Sequence, residues 1–352
     1  DIDMRLMTGG CREVVARRNR KRACQVIESA GETLRSLQVN GLRDDSLLSD
    51  LRAVEMVAID LDGTLLTSDK CITRRTENAI KAAAAAGIEI VPATGRVGSV
   101  LPSRLVDLHR IRYAVCSAGA SVEEVEFSSD CPRTLHEVGF DPMRAAELVE
   151  FLEHRCGDWI AADAGYRGEL YMSRAALARV REFQLPCERI DFIARSRRPV
   201  DDLARTLRGF DGPVGRINLF VRTERARHAI MTWLNRELKV ELANSLSDNI
   251  ELNAPGTSKW NGLVWLTKML GRSSEHVLVL GDGENDMDML RRASVGVAMA
   301  NAPREVRACA RATTAQTNDD EGVARVLEEL VRIRQRKEGI LQIELRPKSW
   351  TA

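Results

Sequence analysis

The apolar run Met56-Val57-Ala58-Ile59 ends in Asp60-Leu61-Asp62-Gly63-Thr64. Four apolar residues with no polar alternation have the form of a strand buried on both faces, as in a parallel sheet. Downstream, Thr73 is placed to N-cap a helix through the alanines at 82–86, which Gly87 closes. Ile88–Val91 then reads as a second buried strand ending at Pro92-Ala93-Thr94, and Tyr113–Cys116 as a third. Strand, helix and strand in quick alternation predict a Rossmann-like α/β fold with a parallel sheet. The same texture returns at Val277–Leu280 and Val295–Met299, so the core is expected to be split around an insertion.

This gives a domain plan for the 352 residues. Residues 1–52 form a basic, helix-compatible extension with Arg17, Arg18, Arg20, Lys21 and Arg22 in one cluster; its helical pattern runs from Glu13 to Leu37. The core takes 53–123 and 248–337, with a closing helix over 322–337. An inserted α/β domain occupies 124–247, with helices at Met143–Arg155, Arg174–Gln184, Val200–Arg208 and Glu224–Leu238 and a strand-like run at Ile217–Val221. Residues 338–352 are expected to be a tail.

Composition narrows the function. Lys and Arg total 52 against 51 Asp and Glu, and aromatic residues are 4% of the chain, so nucleic acid is not an expected partner. The 8 cysteines include no CxxC pair and the 5 histidines no metal spacing, which points to reduced thiols, a cytoplasmic location and no zinc site. No run of eighteen apolar residues occurs, so no membrane span is expected. Oligomeric state is not legible.

Four polar signatures adjoin the predicted core strands, where an open α/β sheet binds ligands. Asp60 and Asp62 can hold a hard cation and supply a nucleophile and a separate acid/base, although an Asp-Gly turn alone is common. Thr94-Gly95-Arg96 offers a hydroxyl and backbone N–H groups to a phosphate, or is ordinary helix capping. Lys259, opening a helix, can neutralise phosphoryl charge, or is a solvated surface group. Gly281-Asp282-Gly283-Glu284-Asn285-Asp286 packs acids and an amide after an apolar strand, a costly arrangement without a cation. Their order along the chain is the one a single phosphoryl-transfer site needs.

On these residues the chain resembles the Cof-type branch of the haloacid dehalogenase superfamily over about 54–332. Asp60–Leu65, Ala93–Arg96, Lys259 and Gly281–Leu290 match its four motifs; Asn301-Ala302-Pro303 and Thr317–Ala324 match this branch. The resemblance implies a phosphatase acting on a small phosphate ester, with Asp60 as nucleophile forming an aspartyl-phosphate and Asp62 as acid/base. It implies Mg²⁺ held by Asp60, the Asp62 backbone carbonyl and Asp282, with Asp286 on the same cluster directly or in support. Thr94, Gly95, Lys259 and Asn285 would hold the phosphoryl oxygens, and the insertion would be a cap over the site. The branch usually carries Asn where this chain has Ala118. Asp62 favours hydrolysis over the other chemistries of the superfamily. A phosphomutase and a non-catalytic protein working through its basic segment 12–22 are the competing readings.

Overall fold

The computed structural model describes residues 37–39, 46–108, 110–125, 133–238, 240–243 and 249–344. Its first sheet has six strands in the order β1 (Leu37–Val39), β15 (Ala312–Thr314), β14 (Val295–Ala298), β13 (Val277–Gly281), β2 (Met56–Ile59) and β3 (Glu89–Pro92). All neighbours are parallel except β1 on β15. β2 and β13 are buried at every position, which is why their sequences show no alternation. Helix Arg74–Ala85 begins as expected, with Thr73 Oγ1 accepting from the Thr76 N–H at 3.2 Å, and packs against helix Gly322–Glu344. Gly87 follows it at φ +78°, a backbone conformation that costs glycine least.

A bridge from Ala93 to Val115 joins β3 to an antiparallel sheet of β4 (Tyr113–Cys116), β5 (Ser121–Glu124) and β6 (Arg133–Glu137). The third sheet belongs to the insertion. Its order is β11 (Glu241–Ala243), β12 (Asn249–Asn253), β10 (Arg216–Val221), β7 (Ile160–Tyr166), β8 (Glu169–Ser173) and β9 (Arg198–Val200). Helices Pro142–Cys156, Leu203–Arg208 and Glu224–Glu237 bury one face of it, while Arg174–Val180 and Cys187–Ser196 cover the other. Arg197 and Asp163 form a buried pair there at 2.9 Å.

The structure redraws several expected boundaries. The extension over 1–52 does not stay apart from the core. Leu37, expected to end a helix, opens β1 on the core sheet, and helix Leu47–Ala53 buries Leu47 and Leu51 in the main apolar cluster. The rest of the Glu13–Leu37 pattern lies outside the described residues. β12 pairs with β10, so the second domain's sheet extends beyond 247. Val200 ends β9 instead of opening a helix, and Cys187–Ser196 is a helix the sequence reading passed over. The closing helix runs to Glu344, taking in the first residues of the expected tail.

One connection fixes the geometry below it. Ser117, Ala118 and Gly119 all have positive φ, at 50°, 56° and 100°. A Cβ on Gly119 would lie 2.0 Å from the Ser258 carbonyl oxygen, one residue before Lys259. Gly119→Ala is therefore expected to destabilise the protein by roughly 2 kcal/mol or more, the backbone of Ser258 being unable to yield cheaply. Chemical denaturation of the variant checks this, and a cost under about 0.5 kcal/mol, as at ordinary surface positions, would contradict it.

Candidate active site

The strand ends β2, β3 and β13 deliver the polar signatures to one place. Asp60 follows β2 directly, and its N–H donates to the Leu280 carbonyl at 3.0 Å, locking it beside β13. Lys259, only 1% exposed, lies between two carboxylates: its Nζ donates to Asp60 Oδ1 at 2.6 Å and to Asp286 Oδ1 at 2.7 Å. The Ser258 hydroxyl caps the helix Lys259–Met269 by accepting from the Asn261 N–H. Asp286 Oδ2 in turn accepts from the Asp282 and Gly283 N–H groups at 2.9 and 2.8 Å. The Thr64 hydroxyl donates to Asp282 Oδ1 at 2.6 Å.

Oxygens of Asp60, Asp282 and Asp286 lie within 4.8 Å of one another. Three carboxylates thus face one ammonium. Burial pushes Asp60 up to about 7, Lys259 pulling it down less than burial and the charges of Asp286 and Asp282 push it up. Asp282 rises to about 6, chiefly by burial, with the Asp286 charge adding to it and the Thr64 bond opposing. Burial works against the charge on Lys259, but Asp286 and Asp60 outweigh it and raise its pKa. An all-oxygen set with this surplus of negative charge fits a hard divalent cation.

Asp62 behaves differently from its neighbours. Its carboxylate takes both prongs of the Arg96 guanidinium at 2.7 Å and the Lys70 ammonium at 2.8 Å. Partial burial raises its pKa, but these bonds prevail and hold it at about 2. Its side chain is not part of the three-carboxylate group. Thr94 is buried, with its hydroxyl accepting from the Arg96 N–H at 3.1 Å. Gly95 and Asn285 line the same cleft, and a Cβ on Gly95 would lie 3.9 Å from the Asn285 amide nitrogen.

The sequence reading brought Asp60, Asp62, Thr94, Gly95, Lys259, Asp282, Asn285 and Asp286 to one crevice; in the structure six of them line the cleft, while Lys259 and Asp286 are buried and linked to Asp60 through the Lys259 ammonium. It missed Lys70, whose ion pair with Asp62 bridges a short loop and has no signature of its own. It also left the late motifs without a purpose. Asn301 Nδ2 donates to the Gly63 carbonyl at 2.8 Å and Asn318 Nδ2 to the Leu66 carbonyl at 2.9 Å, so both fasten the loop that carries Asp60 and Asp62. Gly63, at φ +89°, is where Asp282 comes closest: a Cβ there would meet Asp282 Oδ2 at 2.3 Å.

A cleft of about 870 Å³ opens above Asp60, walled by the core on one side and by the inserted domain on the other. A buried carboxylate held by a lysine, a group of three carboxylates that fits a cation, and a second domain across the cleft meet in this one place. The chain matches the family model of haloacid dehalogenase-like hydrolases over residues 57–327 and belongs to that family. It is 28% identical over 301 residues to Phosphatase YwpJ of Bacillus subtilis (strain 168), covering 79% of this chain and 100% of that protein. It is 26% identical over 275 residues to the 5-amino-6-(5-phospho-D-ribitylamino)uracil phosphatase YcsE of the same organism, covering 78% and 94%. Among solved structures, a haloacid dehalogenase-like hydrolase from B. subtilis superposes with a TM-score of 0.63 at 26% identity, over 78% of this chain and 99% of that one. No described helix is long and apolar enough to cross a membrane.

Proposed function

We propose that the protein is a Mg²⁺-dependent phosphatase of a small phosphorylated metabolite, working through an aspartyl-phosphate on Asp60. The observation that carries this reading is the Asp60–Lys259–Asp286 arrangement, in which a buried carboxylate at the head of the cleft is held by a charged lysine. Asp60, Asp282 and the Asp62 carbonyl would hold the cation, with Asp286 beside them; bound there, Mg²⁺ would neutralise phosphoryl charge.

In the first half-reaction a carboxylate oxygen of Asp60 attacks phosphorus while the ester P–O bond breaks. The leaving oxygen takes a proton from Asp62. Water then attacks phosphorus, Asp62 accepts its proton, the P–O bond to Asp60 breaks and inorganic phosphate leaves. Lys259, Thr94, the Gly95 N–H and Asn285 hold the non-bridging oxygens through both halves.

The Arg96–Lys70 clamp adds a condition. It keeps Asp62 ionised, the form needed to accept a proton from water and the wrong form to donate one. Donation therefore requires Asp62 to leave the clamp and take up a proton from solvent as substrate enters. Asp62→Asn is expected to lower kcat about 10²- to 10⁴-fold on alkyl esters, the range of general acid–base effects. Rapid-quench assays with p-nitrophenyl phosphate should retain a burst of nitrophenol, because that leaving group needs no proton. Loss of the burst together with turnover would remove Asp62 from the acid role.

A further inference from the structure

We propose that the physiological substrate carries a second anionic group on the leaving-group side of its ester, and that Arg195 of the inserted domain binds it. This rests on the phosphatase reading and names the substrate class for the same site.

Charge on the cleft walls is unequal. The inserted domain contributes Arg189, Arg195, Arg197, Arg198 and Arg216 against only Glu169 and Glu251. Arg216 and Glu251 pair at 2.9 Å, and Arg197 is committed to Asp163. Arg198 pairs with Glu169 where both are more than half exposed, so exchanging that partner costs little. Arg195 is exposed and spends only its Nε–H, on the Asp191 carbonyl of its own helix at 3.2 Å. Among the described residues its guanidinium has no carboxylate partner.

Arg195 is also placed with a second feature that a solvated arginine does not need. Helix Cys187–Ser196 buries Ile193 and turns Arg189, Phe192 and Arg195, three residues apart, to the cleft. Phe192 is 48% exposed there, an apolar ring left in the open. The guanidinium groups of Arg189 and Arg197 lie 5.9 and 5.7 Å from its centroid, which gives a cation-flanked aromatic shelf. Val100, 49% exposed, lines the opposing core wall. A phosphoryl group at Asp60 fills only a small part of about 870 Å³, leaving room for a leaving group that reaches this shelf. Phosphate and carboxylate share the oxyanion geometry an arginine fork accepts.

The test compares kcat/KM within matched pairs of esters for the full-length protein with Mg²⁺. Glycerol 3-phosphate against 3-phosphoglycerate reads a carboxylate. Fructose 6-phosphate against fructose 1,6-bisphosphate, and adenosine 5′-monophosphate against adenosine 3′,5′-bisphosphate, read a second phosphate. The member with the second anionic group is expected to be favoured about tenfold or more in at least one pair. That ratio should fall toward one in Arg195→Gln and stay at its wild-type value in Arg174→Gln, an exposed arginine outside the cleft lining that pairs with Asp201. Equal rates within every pair, or a preference that survives Arg195→Gln, would overturn the proposal while leaving the phosphatase reading intact. No phosphate release from any of these esters or from p-nitrophenyl phosphate would remove the phosphatase reading itself, and the proposal with it.

Discussion

Asp60→Asn is expected to reduce phosphate release by about 10⁴-fold or more while leaving the protein folded. An amide is nearly isosteric with the carboxylate and can still accept from Lys259, but it is far too weak a nucleophile to form the acyl-phosphate bond. The structure also predicts what happens to stability. Asp60 is 6% exposed and its pKa stands near 7 because burial and the charges of Asp286 and Asp282 outweigh Lys259. Removing one of three crowded carboxylates should therefore leave the melting temperature unchanged or higher in the absence of divalent cation. In its presence wild type should gain more than the variant, because the variant has lost a ligand. Normal turnover by Asp60→Asn would overturn the assignment of the nucleophile.

Lys259→Met should show the opposite balance. Lys259 is the ammonium between Asp60 and Asp286, all three being buried. Deleting it strands two carboxylates that keep their desolvation cost, and breaking a buried pair in this way typically costs about 3–5 kcal/mol. Denaturant unfolding should register that loss, and saturating Mg²⁺ should restore part of it by neutralising the same carboxylates. Turnover should fall by roughly 10²- to 10³-fold, the scale on which removing one preorganised electrostatic partner acts. If Lys259→Met were as stable as wild type without cation, the charge balance drawn for the site would be wrong.

These two residues also show what sequence makes visible. Asp60 stands at the end of a strand buried on both faces, so the change from Val-Ala-Ile to Asp marks both the fold and the site. Asp282 after β13 repeats the signal. Lys259 is weaker, since its burial depends on the approach of Gly119 to Ser258, a contact between segments far apart in the chain. The inserted domain was harder to read. β7 is buried throughout, yet its Ile160-Ala-Ala-Asp-Ala-Gly-Tyr166 composition is small and interrupted by an acid. That acid is Asp163, tolerated there because Arg197 reaches it from 34 residues away. β1 and helix Leu47–Ala53 were read as part of an extension because a short edge strand and a two-turn helix carry little periodicity; only their packing shows that they complete the core.

The clamp on Asp62 was beyond the sequence for a different reason. Arg96 was visible in its motif, but its bidentate contact depends on where the turn after β3 points the side chain. The same holds for Arg195 and Phe192, which become a feature only when the inserted domain faces Asp60 across the cleft.

The proposed mechanism requires a phosphoryl group to reside on Asp60 during turnover. The direct measurement is acid quench of the wild-type protein turning over a phosphate ester with Mg²⁺, followed by mass spectrometry of the peptide spanning Met56–Leu65. The account predicts the mass of one added phosphoryl group on that peptide, labile to base and missing from Asp60→Asn. Sustained turnover with the label on another residue, or a quench fast enough to trap an intermediate that finds none, would contradict it.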